Sequence, residues 1–108
     1  IKDLVIRGGE NIGCGEVEAA LLEHPLVQEA SVYAVPDQRL GEEVGTTLYV
    51  SSSVTESELS GFLQERLAKF KIPRYIHQQQ TPLPRTASGK ILKRDLREEA
   101  CQRLGLAQ

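Results

Sequence analysis

The sequence predicts an α+β fold: a small sheet of about three strands with helices packed on it, preceded by a short β-hairpin. Three observations predict this. Local patterns run in the order hairpin, helix, strand, strand, helix, strand, loop, helix. The helical segments carry apolar residues at helical spacing, while the strand segments alternate or stay apolar. The length, 108 residues, suits one small domain, so residues 1–108 are read as a single unit.

Asp3 to Arg7 is short and partly β-branched, Gly8-Gly9 is a turn signal, and Glu10 to Ile12 can pair back on it. Gly15 to Glu23 reads as a helix with Val17, Ala20 and Leu21 on one face. Two of its acids, Glu16 and Glu18, sit near the start, where the helix dipole favours them, and His24-Pro25 stops it. Val27 to Val35 reads as a strand with neither face strongly polar, which predicts a central position. Pro36-Asp37 begins a turn. Glu43 to Val50 follows as a second strand, with Val44, Thr46, Leu48 and Val50 on one face. Thr55-Glu56-Ser57-Glu58 is a capping box, and the helix it opens runs to about Ala68 along Leu59, Phe62, Leu63 and Leu67. Lys71-Ile72-Pro73-Arg74 breaks the pattern. Tyr75 to Gln79 is a weaker strand, because its glutamines have little β preference. A last helix covers Lys93 to about Leu104, with Leu96 and Ala100 inward and Gly105 as C-cap.

Composition excludes several classes. No apolar run approaches the roughly 20 residues that span a bilayer, and no secretory signal pattern appears. Cys14 and Cys101 are isolated thiols without CxxC spacing, and His24 and His77 have no ligand neighbours in sequence. Reduced cysteines in a cytoplasmic protein, ordinary surface or packing histidines and no metal site are the expectation. The sequence holds no methionine, and its opening Ile-Lys-Asp-Leu-Val reads as the interior of a larger protein.

Charge is unevenly spread. Residues 1–68 hold four basic and twelve acidic side chains, whereas residues 69–94 hold seven basic ones and no acid. The basic third implies either an anionic partner or a solvated charged face. Nucleic acid is disfavoured by sparse aromatics and the lack of a recognised motif. A phosphorylated small molecule fits better.

Within that third, Leu83-Pro84-Arg85-Thr86-Ala87-Ser88-Gly89-Lys90-Ile91-Leu92-Lys93-Arg94 presents Lys90 after a turn-forming stretch and before two apolar anchors. A nucleotide P-loop would need glycine at Pro84 and a hydroxyl residue at Ile91, so that reading fails. The segment resembles the C-terminal lysine motif of the acyl-adenylate-forming enzymes: acyl-CoA synthetases, peptide-synthetase adenylation domains and luciferases. Lys2-Asp3-Leu4-Val5-Ile6-Arg7-Gly8-Gly9-Glu10-Asn11-Ile12 resembles the hinge and glycine loop that open the same domain. The resemblance covers nearly the whole chain, and its Arg-Gly-Gly-Glu-Asn-Ile and Ser-Gly-Lys sequences look most like fatty-acyl-CoA synthetases. Gly13-Cys14-Gly15 departs from the bulkier or Pro-containing family pattern.

The resemblance implies a mobile C-terminal lid of an ATP-dependent acyl-CoA synthetase, a ligase of fatty-acid metabolism. Lys90 would carry the catalytic charge for adenylation, Lys2 would be the hinge, and Gly8 and Gly9 would line the pantetheine channel after rotation. Lys71 and Arg74 are candidate CoA phosphate contacts, with a plain basic surface turn as the equal alternative. Lys93 and Arg94 are read as helix-surface charges. ATP and CoA are the implied co-substrates, with Mg2+ bound mainly outside this domain. The implied partners are the protein's own N-terminal adenylation domain and a small carboxylate. The phosphate loop and acyl pocket are absent from these residues, so the isolated domain is expected to be inactive. The alternatives are a stand-alone α+β module for a phosphorylated ligand and the C-terminal domain of a peptide-synthetase-type adenylation enzyme.

Overall fold

The computed structural model describes residues 3–106, which form five strands and three α-helices. Leu4–Arg7 (β1) and Glu10–Gly13 (β2) make the expected hairpin. Cys14–Leu22 (α1) leads to the long hairpin of Val27–Asp37 (β3) and Gly41–Val50 (β4). Glu56–Gln64 (α2) and a short 3-10 turn, Lys69–Lys71, precede Tyr75–Gln79 (β5), and Lys93–Leu104 (α3) closes the fold.

The centre of the sheet is β4, not β3. β3 pairs antiparallel along the whole of β4, while β5 pairs parallel with residues 45–49, and β1 meets β4 at Arg7 and Gly41. Among the described residues β3 pairs with β4 alone and is therefore an edge strand. The apolar character that predicts a central position has another cause: both faces of β3 are covered. Ala30 and Val32 pack with Val17, Leu21, Leu59 and Leu63 of α1 and α2, while Tyr33 and Val35 pack with Leu96 and Ala100 of α3. Side chains also occupy the open edge. Glu18 accepts from the Val32 amide at 2.8 Å, and Arg97 Nε donates to the Ala34 carbonyl at 2.6 Å. Such groups keep the edge from recruiting another strand.

The parallel step from β4 to β5 requires a crossover, which α2 supplies. The Thr55 hydroxyl accepts from the Glu58 amide at 3.1 Å, as the capping box predicts. α2 ends at Gln64, short of the expected Ala68. Arg66 Nη1 takes the Phe62 carbonyl at 2.9 Å, satisfying an oxygen at the helix end, and Leu67 remains buried beyond it. β5 forms despite its glutamines: it pairs with β4, and Gln78 exchanges two hydrogen bonds with the backbone of Val54, at 2.9 and 2.6 Å. Gly105 ends α3 with φ +70°, the left-handed C-cap expected there.

Candidate functional site

The segment carrying Lys90 is a small hydrogen-bonded hairpin, not a slack loop. Arg85 and Ile91 form an antiparallel bridge. The Leu92 amide donates to the Pro84 carbonyl at 2.8 Å, the Thr86 amide to the Lys90 carbonyl at 2.7 Å, and the Gly89 amide to the Thr86 carbonyl at 2.9 Å. The Thr86 hydroxyl accepts from the Lys90 amide at 3.1 Å. Gly89 has φ +93°, which a side chain would oppose.

Arg85 roots this hairpin on the sheet. Its guanidinium donates to the Gly89 carbonyl at 2.6 Å and, in a short contact, to Glu29 near the start of β3. Glu29 also accepts from the Leu83 amide at 2.8 Å, and the Leu83 side chain is buried under α3. Burial pushes the Glu29 carboxyl up, but Arg85 and the Leu83 amide hold it below its ordinary value of 4.5. Lys90 itself is exposed, and its ammonium has no ion-pair or hydrogen-bond partner among the described residues.

That isolation is unusual in the basic run. Lys71 pairs with Glu16 at 2.9 Å, Arg74 with Asp37 at 3.9 Å, Arg85 with Glu29, Lys93 with Asp3 and Glu18, and Arg94 with Glu98 at 3.7 Å. The acid-free third is therefore largely neutralised by the acidic first part. Among the described residues of that run, Lys69 and Lys90 alone keep an unpaired charge. Lys93 is not the surface charge that the sequence suggests: its side chain is 28 % exposed, against 89 % for Arg94.

Gly8 and Gly9 form the two-residue turn of the β1–β2 hairpin, with φ of +55° and +86°, as a type I′ turn requires. The Gly8 amide donates to the Leu40 carbonyl at 2.9 Å. Arg7 Nε donates to Glu43 at 2.7 Å and the Ile6 amide to Glu42 at 2.7 Å, which lock the hairpin to the start of β4. Glu43 is 2 % exposed and makes a second bond to the Val44 amide. Sequence reasoning missed this buried acid; its signal was a carboxylate adjoining the apolar and small run of residues 44–50 in the same strand.

The two loops root at opposite ends of β3. The lysine hairpin holds Glu29, and the glycine turn holds the β3–β4 connection after Asp37. Eight strand steps separate Glu29 from Asp37, about 26 Å at the usual rise. The structure does not bring Lys90 and Gly8-Gly9 together. Lys71 and Arg74 lie before β5, with Lys71 Nζ 5.7 Å above the Phe70 ring and the Arg74 guanidinium 5.2 Å from the Tyr75 ring. Arg74 and Tyr75 also border a cleft of about 180 Å³ between β5 and the end of α3, beside Tyr33, His77 and Arg103. Burial and then Arg103 push His77 below its ordinary value. His24 is a packing residue: Nδ1 accepts from the Leu26 amide and Nε2 meets Glu58, both at 3.1 Å. Lys2 lies outside the described residues.

No group of three or more His, Cys, Asp or Glu among the described residues could hold a metal ion. Cys14 and Cys101 are buried free thiols, and burial pushes Cys14 up to about 12. No described helix is long and apolar enough to cross a membrane.

Comparison with known proteins agrees with this architecture. Residues 16–90 match the family model described as the AMP-binding enzyme C-terminal domain. The medium-chain acyl-CoA ligase ACSF2 of mouse, a mitochondrial protein by its name, is 46% identical over 107 residues, which is 97% of this chain and 17% of that protein. The 2-succinylbenzoate–CoA ligase of Bacillus velezensis is 48% identical over 97 residues, 90% of this chain and 20% of that protein. A solved o-succinylbenzoate CoA synthetase from Bacillus subtilis superposes with a TM-score of 0.84 at 41% identity, covering 91% of this chain and 20% of that one. The chain thus spans about a fifth of the length of the relatives it matches. By sequence and by fold, it belongs to the AMP-binding enzyme C-terminal domain family.

Proposed function

We propose that this chain is the C-terminal lid of an ATP-dependent acyl-CoA synthetase of fatty-acyl type, working against an N-terminal adenylation domain in the same protein. The observation that carries the reading is the unpaired ammonium of Lys90 on a rigid, hydrogen-bonded hairpin. Adenylation brings a carboxylate against the α-phosphate of ATP, and negative charge gathers as they meet. A fixed cation at that point stabilises the transition state without reorganising. It acts as a point charge, and no proton transfer is asked of it. A lysine already engaged by a carboxylate would bring little net charge.

The glycine turn suits the second half-reaction. Two adjacent residues without side chains let CoA's pantetheine arm pass close to backbone. Because the loops root at opposite ends of β3, one reaction centre meets one loop at a time, so the domain reorients between half-reactions, pivoting at Lys2. Lys71 and Arg74 are proposed contacts for the CoA phosphates; the weak 3.9 Å pairing of Arg74 leaves it free to turn, whereas Lys71 would have to exchange Glu16, 2.9 Å away, for a phosphate. Mg2+ would accompany ATP on the adenylation domain. A reducing compartment suits the two thiols, and we propose the cytoplasm.

The test is Lys90→Ala in the full-length enzyme. Adenylation, read as pyrophosphate release, should fall about a hundred- to a thousandfold. Thioester formation from supplied acyl-adenylate should stay near the parent rate. Equal losses in the two half-reactions would refute the role given to Lys90. The isolated chain, lacking the phosphate loop, should show no saturation with sub-millimolar ATP in calorimetry.

A further inference from the structure

α3 begins against the usual local preferences. Its N-cap is Leu92, a residue that offers no acceptor to the first amides. Its first two residues, Lys93 and Arg94, are cations at the positive end of the helix dipole, where acids are favoured, and Asp95 is the one acid of the first turn. Arg94 points to solvent. Lys93 turns inward, and its ammonium meets two carboxylates: Asp3 in a short contact and Glu18 at 2.8 Å. Burial works against this charge, yet the two bonds hold the lysine above its ordinary value.

Each carboxylate is tied into another element. The same Glu18 oxygen accepts the Val32 amide on the open edge of β3, and the Asp3 carbonyl accepts from the Cys14 amide at 3.0 Å where α1 begins. Lys93 therefore joins the base of the lysine hairpin to the residue entering β1, to α1 and to the sheet edge. It stands three positions from Lys90, and Asp3 stands next to Lys2. A locally unfavourable residue held by long-range partners is a common mark of a functional constraint.

We propose that Lys93 is a positioning residue for adenylation: its bonds to Asp3 and Glu18 fix the lysine hairpin relative to the segment on which the domain pivots, so that Lys90 arrives in register. The inference rests on the role given above to Lys90. Misplacing a catalytic charge by about 1 Å is enough to cost one to two decades in rate.

The experiment uses the full-length enzyme with Lys93→Met, Lys93→Arg, Lys90→Ala and the Lys90→Ala/Lys93→Met double variant. Lys93→Met should lower adenylation about tenfold and leave thioester formation from supplied acyl-adenylate unchanged. Lys93→Arg should restore adenylation, because the guanidinium reaches the same carboxylates. In the Lys90→Ala background the Met change should cost nothing further, because it acts through Lys90. A parental rate for Lys93→Met, equal loss in both half-reactions, or a full additional loss on top of Lys90→Ala would each overturn the inference while the Lys90 role stands. Undiminished adenylation by Lys90→Ala alone would overturn that role, and the inference with it. If Lys93→Met does not fold, Glu18→Gln keeps the acceptor for Val32, removes one carboxylate from Lys93, and is judged by the same outcomes.

Discussion

The lysine hairpin and the glycine turn use one device to present opposite things. Each is a tight turn with glycine at positive φ, and each is rooted on the long β3–β4 pair by backbone and side-chain hydrogen bonds. The first ends in a bare charge, the second in bare backbone. The surrounding ion pairs differ accordingly. Around Lys90 the neighbouring cations are neutralised, so a single ammonium stands out. At the glycine turn the charges of Arg7 and Glu43 are consumed in holding the hairpin, so bare main chain is offered at Gly8-Gly9, with the exposed Glu10 carboxylate beside it. The difference teaches that the position of a charge in this domain matters less than whether it is already paired.

The largest expected effect is the loss of adenylation in Lys90→Ala. Next is Gly9→Leu, which should impair thioester formation about a hundredfold and spare adenylation. A Cβ on Gly9 meets nothing within 4 Å, whereas one on Gly8 would lie 3.0 Å from Leu40, so Gly9 is the cleaner site. Positive φ costs a side chain about 1–2 kcal/mol, and Gly9→Ala bears the same cost with only a methyl group. Comparing Leu with Ala, with thermal melting of each, separates channel filling from backbone strain.

Arg85→Ala attacks the root of the lysine hairpin without touching Lys90. Adenylation should fall about tenfold as the hairpin loosens, thioester formation should hold, and hydrogen exchange at the Thr86 and Gly89 amides should quicken. Unchanged exchange would mean that the bonds within the hairpin are sufficient by themselves.

The smallest effect is on acid stability. The folded-state value of Glu29 lies below 4.5, so its contribution is present above that pH and is lost as pH falls through the depressed value. A partly exposed pair of this kind is worth about 0.5–1 kcal/mol. Urea midpoints measured from about pH 6 to pH 3 should decline less steeply in Glu29→Gln than in the parent.

Most of the element plan was legible because apolar spacing, a capping box and glycine stops are local signals. The stripes at Val17, Leu21, Leu59, Leu63, Leu96 and Ala100 all reach the core. Strand order was not legible. Val27 to Val35 looks central because α1/α2 and α3 bury its two faces, and burial by helices leaves the same sequence trace as burial between strands. β5 pairs parallel with β4 and is supported by the Gln78–Val54 bonds, a long-range exchange that β propensity does not record. In the candidate site, the roles proposed for Lys90 and Gly8-Gly9 come from motif resemblance. The pairing that sets Lys90 apart from Lys93 was not, because Asp3 and Glu18 lie 90 and 75 residues from Lys93.

The central claim is that the two loops serve different half-reactions of one enzyme. Measuring both half-reactions side by side in Lys90→Ala and Gly9→Leu tests it most directly. The account predicts a crossed pattern: Lys90→Ala loses pyrophosphate release and keeps thioester transfer, and Gly9→Leu does the reverse while melting like Gly9→Ala. Parallel losses in both variants, or a Gly9→Leu enzyme that keeps thioester transfer and loses pyrophosphate release, would contradict it.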